Sequence, residues 1–154
     1  MSKYPGIGTV SHATLRTQDL ADSFLAVLKQ FDEPKYNEIE SEYPLFTDSE
    51  DESEYWQSEE SSWVLNGVLF DAMNDIAAPY TYFGATEGDG SDFGFWPAIE
   101  SLEEDSRYDE NIQKVNDLSD IPTPTPEFIM LVNDHGNVSL YRTKFETELI
   151  WDCV

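Results

Sequence analysis

The chain has 154 residues, with 32 Asp and Glu against 8 Lys and Arg, and a formal charge of -24 at pH 7. That length suits a single domain, residues 1–154, able to bury a core without staples, and the lone cysteine, Cys153, excludes an internal disulfide framework or a cysteine-based zinc cluster. The cations are scattered at positions 3, 16, 29, 35, 107, 114, 142 and 144, which excludes direct nucleic-acid binding, and without an apolar run of about 18 residues no membrane span is expected.

Residues 1–13 read as an irregular or extended lead-in broken by Pro5, Gly6 and Gly8. Leu20, Phe24, Val27, Leu28 and Phe31 recur at helical spacing and predict a helix from Thr17, with Thr17 as its N-cap. Pro34 ends it and opens a shorter helix to about Ser41. Residues 47–54 read as a loop. From Ser58 onward, Trp63, Val64, Leu65, Val68, Leu69, Met73 and Ile76 predict a broad-faced core helix, with acids in its first turn and Pro79 after its end.

Residues 80–85 and 92–96 read as two strands joined through a glycine-rich hairpin, and 97–104 as a short helix. Ile121 to Pro126 reads as a stiff extended connector. Residues 127–132 and 138–143 flank Asn133-Asp134-His135-Gly136-Asn137 as a second hairpin. A last strand over 146–154 places Leu149, Trp151 and Cys153 on one face, with an apolar side that could pair with a second copy. The fold class expected is α+β: a small antiparallel sheet of about five strands packed by three to four helices.

Enzyme signatures are sparse. There is no nucleophile elbow, phosphate loop or paired-histidine metal motif, and His12 and His135 are far apart. Glu87-Gly88-Asp89-Gly90-Ser91-Asp92 superficially suggests a calcium loop, but Asp92 stands where an EF-hand needs glycine and Ala98 where it needs glutamate. A hairpin turn accounts for it. No catalytic residue, metal site or cofactor is assigned.

The acids carry the remaining signal. Between Lys35 and Arg107 there are nineteen Asp and Glu and no Lys or Arg, interleaved with aromatics such as Trp56, Trp63, Phe70 and Trp96. Disorder favours charge without aromatics, so this composition points to a folded body with a negative exterior. Carboxylates one helical turn apart lie about 6 Å from each other, and alternate strand residues about 6.5–7 Å, spacings comparable to those of successive phosphates. Glu38, Glu40 and Glu42, the run Asp48, Glu50, Asp51, Glu52 and Glu54, the pair Glu59 and Glu60, and Glu100, Glu103 and Glu104 offer both arrangements. Tyr55 and Trp56 would supply short-range fit beside them.

His12 to Leu20, Tyr82 to Ala85 with Gly88 to Trp96, and Asp134 to Asn137 resemble segments of small acidic proteins carried by phages and plasmids. In charge alone the chain is similar to DNA-mimic inhibitors of the antirestriction, glycosylase-inhibitor and anti-CRISPR type, which share no sequence motif. The resemblance implies a mobile-element inhibitor. The sparse enzyme signatures make it a non-enzymatic one, the acidic surface makes its expected partner a basic nucleic-acid-binding protein, and the lone cysteine fits a reducing cytoplasm. Competing expectations are an immunity protein for a nuclease toxin, or an accessory protein whose acidity serves solubility.

Overall fold

The computed structural model describes residues 3–47, 54–143 and 147–153. The fold is α+β, and the chain divides into two compact units, Lys3–Ala77 with Tyr82–Trp96 and Ala78–Thr81 with Pro97–Val154.

The first unit runs β1 (Gly8–Ser11), α1 (Thr17–Phe31), α2 (Glu33–Glu42), α3 (Pro44–Thr47), a 3-10 turn (Glu54–Gln57), α4 (Glu59–Trp63), α5 (Phe70–Asp75), β2 (Thr81–Thr86) and β3 (Asp89–Pro97). The apolar period that predicts α1 does bury Leu20, Phe24 and Leu28. Thr17 is the first helical residue rather than the cap; Arg16 holds that position without a side-chain bond. Instead Thr14 Oγ1 accepts from the Arg16 backbone N–H at 3.2 Å and donates to Asp19 Oδ2 at 2.7 Å, tying the lead-in to the first turn. Asp32 caps α2 by accepting from Lys35 N at 3.2 Å, and Pro34 sits in its first turn.

The expected core helix from Ser58 is present but not uniform: Val64–Leu69, between α4 and α5, is π-helical. Its inward residues meet α1 and the sheet in a phenylalanine cluster. Phe24 packs at 5.6 Å from Phe70, 4.8 Å from Phe83 and 5.8 Å from Phe93, all near edge-to-face.

The sheet of this unit has the order β1-β3-β2, and β1 pairs antiparallel with β3 through Gly8↔Phe95, Thr9↔Gly94 and Ser11↔Phe93, with a bulge between Thr9 and Ser11. A Cβ on Gly94 would stand 2.1 Å from the Gly8 carbonyl oxygen, so the pairing requires glycine there. Between β2 and β3 the turn is only Glu87-Gly88, tighter than expected, with Gly88 at φ +92.

The second unit runs α6 (Ile99–Tyr108), β4 (Ile112–Val115), a 3-10 turn (Leu118–Asp120), β5 (Phe128–Val132), β6 (Val138–Thr143) and β7 (Thr147–Cys153). Its four strands lie in the order β4-β5-β6-β7; β4 and β5 are parallel and the other pairs antiparallel. Among the described residues the strands therefore form two sheets, of three and four strands, rather than one of about five. The unexpected members, β1 and β4, are four residues each, too short to display a period of two.

Leu102, Ile112, Val115, Ile129, Met130 and Leu140 are buried in this unit. The expected alternation of β7 fails at its centre. Leu140 pairs with Trp151 and Tyr141 with Leu149, leaving Ile150 as an extra residue in a bulge. Ile150 and Trp151 are consequently both buried, while Leu149 is exposed.

Candidate functional site

The expected partner-binding acids fall into three groups. Asp48, Glu50, Asp51 and Glu52 lie outside the described residues. Glu38, Glu40, Glu42, Glu54, Glu59 and Glu60 belong to the first unit, and Glu100, Glu103 and Glu104 to the second.

On α2, Glu38 is paired with Lys35 at 3.4 Å, one turn away. Glu40 and Glu42 stand exposed in the last turn, where no basic residue accompanies them. The C-terminus of a helix carries the negative end of its dipole, so carboxylates there are locally unfavourable. Glu59 and Glu60 have the opposite situation. They occupy the first turn of α4, whose start is capped by Ser58 Oγ accepting from Ser61 N at 3.2 Å.

The end of α2 and the start of α4 share a neighbourhood built of rings. Tyr43 donates its hydroxyl to Glu42 Oε1 at 3.3 Å, and its ring meets Trp63 at 6.1 Å and 64°. Burial, then the Glu42 carboxylate, then Glu60 hold the Tyr43 phenol above its ordinary pKa. Tyr55 is pushed the same way, by burial first and then by Glu60 and Tyr43. One acidic corner thus contains Glu42, Tyr43, Tyr55, Glu60 and Trp63.

Trp56 and Trp63 exchange the places expected of them. Trp56 is only 9% exposed, with its ring 5.4 Å from Phe46, so it is a core residue and not an exposed anchor. Trp63, expected on the core face, is 59% exposed. The inward positions of the helix are Ser61, Val64 and Leu65, and helical geometry turns residue 63 to the opposite side. The signal available in the sequence was Ser58-Glu59-Glu60-Ser61: Ser61 Oγ donates to the Ser58 carbonyl at 2.9 Å, which lets a small polar residue take the buried position.

On α6 the carboxylates are differently employed. Glu103 receives Lys114 Nζ at 3.2 Å on both oxygens. Asp105 accepts from the Tyr80 hydroxyl at 2.7 Å. Glu100 and Glu104 are exposed one turn apart. Tyr80 itself adopts φ 59, a left-handed conformation costly for a bulky side chain. The bond to Asp105, an edge-to-face contact with Phe128 at 5.8 Å and its carbonyl accepting from Ala98 N at 2.8 Å hold it there.

The acids of residues 87–92 are engaged locally. Asp89 accepts from Ser91 N at 3.0 Å and from Ser91 Oγ at 2.8 Å, and those bonds lower its pKa. Asp92 accepts from Thr9 Oγ1 at 2.7 Å across the β1–β3 pairing. Among the described residues no group of three or more His, Cys, Asp or Glu is placed to hold a metal ion. His135 is exposed in the β5–β6 turn, where Asn133 Oδ1 accepts from the backbone N–H groups of His135 and Asn137 and Gly136 takes φ +79. Among the described residues no helix is long and apolar enough to cross a membrane. No family model, no curated protein and no solved structure matches the chain.

Proposed function

We propose that this chain is a non-enzymatic acidic protein that binds a basic, nucleic-acid-handling host protein and occupies the site meant for nucleic-acid phosphates. A defence nuclease or CRISPR effector fits the role, in the manner of inhibitors carried by phages and plasmids, acting in the host cytoplasm. One observation carries the reading. Glu40 and Glu42 stand at the unfavourable end of α2 with no basic residue in that turn, and Glu42 lies against Tyr43, whose ring meets the exposed Trp63 and whose phenol feels Glu60. Among the described residues Glu40 meets no donor or cation and Glu42 only the Tyr43 hydroxyl, whereas a basic partner would offset the unfavourable helix end for both.

The test is affinity capture on the immobilised chain from lysate of a candidate host, followed by elution with excess duplex DNA. The reading expects a captured nucleic-acid-handling protein that DNA releases, with retention weakening as salt rises. Captured proteins that DNA leaves in place would overturn it.

A further inference from the structure

The acidic corner of the first unit pairs carboxylates with an accessible ring. Trp63 is 59% exposed, Tyr43 packs against it at 6.1 Å with the rings inclined at 64°, and Glu42 holds the Tyr43 hydroxyl at 3.3 Å. Among the described residues, the ion pairs are Arg16–Asp19, Lys35–Glu38 and Lys114–Glu103, and none involves Glu42, Glu59 or Glu60. Among the described residues, the cation–ring contacts are Lys3 over Tyr4, Lys29 over Tyr36 and Arg142 over Phe128, and none of these covers Trp63. Among the described residues, the corner has the groups that receive a cation and no cation placed on them.

We propose that this corner receives an arginine side chain of the partner, its guanidinium stacked on the Trp63 indole and hydrogen-bonded to Glu42 or Glu60. The inference rests on the reading that the partner is basic, and it names the residue type that is read. Arginine is preferred to lysine for a physical reason. A guanidinium is planar and weakly hydrated, so it lies on a ring face while its edge N–H groups bond a carboxylate. An ammonium is a compact, strongly hydrated point charge that gains from the field but little from the ring. Long-range attraction therefore comes from the whole acidic surface, and discrimination comes from Trp63.

The probes are fluorescently labelled hexa-arginine and hexa-lysine, titrated with the full chain at low and physiological salt and read by anisotropy. The wild-type chain is expected to bind hexa-arginine about two- to fivefold more tightly than hexa-lysine, the range of an exposed cation–ring contact. Trp63→Leu, which keeps apolar area but removes the ring, is expected to abolish that preference and leave salt-dependent binding of both peptides. Trp63→Phe is expected to retain part of it, and circular dichroism of each variant confirms folding. Equal binding of the two peptides by the wild type, or a preference unchanged in Trp63→Leu, would overturn the arginine site and leave the basic-partner reading standing. Binding of neither peptide even at low salt would overturn both.

Discussion

Two acidic helices of this chain look alike in sequence and differ in what their carboxylates do. On α6, Glu103 is bonded to Lys114 and Asp105 to Tyr80, so those charges complete the unit that contains them. On α2, Glu40 and Glu42 crowd a helix end that disfavours them, Glu40 meets no donor or cation among the described residues and Glu42 only the Tyr43 hydroxyl at 3.3 Å, and the neighbouring rings are partly open to solvent. Counting acids makes the two helices equivalent. Asking which donor or cation each carboxylate meets separates a structural role from one directed outward. The two tryptophans seven residues apart teach the same lesson for rings: Trp56 is buried and Trp63 is not.

The largest effect that could break this comparison is on the tryptophans. Trp56→Ala is expected to cost about 3–5 kcal/mol, as for deletion of a buried ring. Trp63→Ala should cost clearly less, about 1–2 kcal/mol by denaturant unfolding, because more than half of its surface stays in water. Similar losses for both would mean that Trp63 also belongs to the core.

Next comes the backbone approach that builds the first sheet. Gly94→Ala forces β1 away from β3, since the new methyl would overlap the Gly8 carbonyl, and a loss of about 1–3 kcal/mol is expected. Retained stability with unchanged amide-exchange protection at Thr9 and Phe95 would contradict that pairing.

A smaller change probes α6. Tyr80→Phe removes the donor to Asp105 and is expected to cost about 1 kcal/mol. It also has a pH signature. The Tyr80 pKa is raised in the folded protein, by burial first, then by the bond to Asp105 and by the nearby acids Asp105, Asp109 and Glu127. A raised folded value means that the contribution is present below the unfolded pKa of about 10 and is lost as pH rises beyond it. Stability should therefore decline above about pH 10 in the parent and decline less steeply in Tyr80→Phe. Tyr43 and Tyr55 act in the same direction and leave a residual slope.

The smallest stability effects separate the carboxylates themselves. Glu103→Gln loses the partly exposed pair with Lys114 and should cost no more than about 1 kcal/mol, less at high salt. Joint replacement of Glu40 and Glu42 by Gln should leave stability unchanged or slightly raised, because it relieves repulsion at the α2 terminus. A clear loss from that double change would assign those acids a structural role after all.

Much of the fold is legible in the chain. The period of Leu20, Phe24 and Leu28 determines α1, Pro34 starts α2, and Gly88 and Gly136 mark the two hairpins, since each signal is local and matches the geometry it produces. The acidic, cation-free stretch between Lys35 and Arg107 likewise belongs to the sequence, because charge needs no partner to be counted. Only tertiary structure decides the rest. The strands β1 and β4 exist because a partner strand holds them, the bulge at Ile150 buries two successive residues, and a buried Ser61 turns Trp63 outward while Trp56 turns in. Each depends on a contact made by residues distant in the chain or on which face of a helix the packing selects. For the acids the division is the same: the sequence places them, and their tertiary neighbours decide which ones are already satisfied.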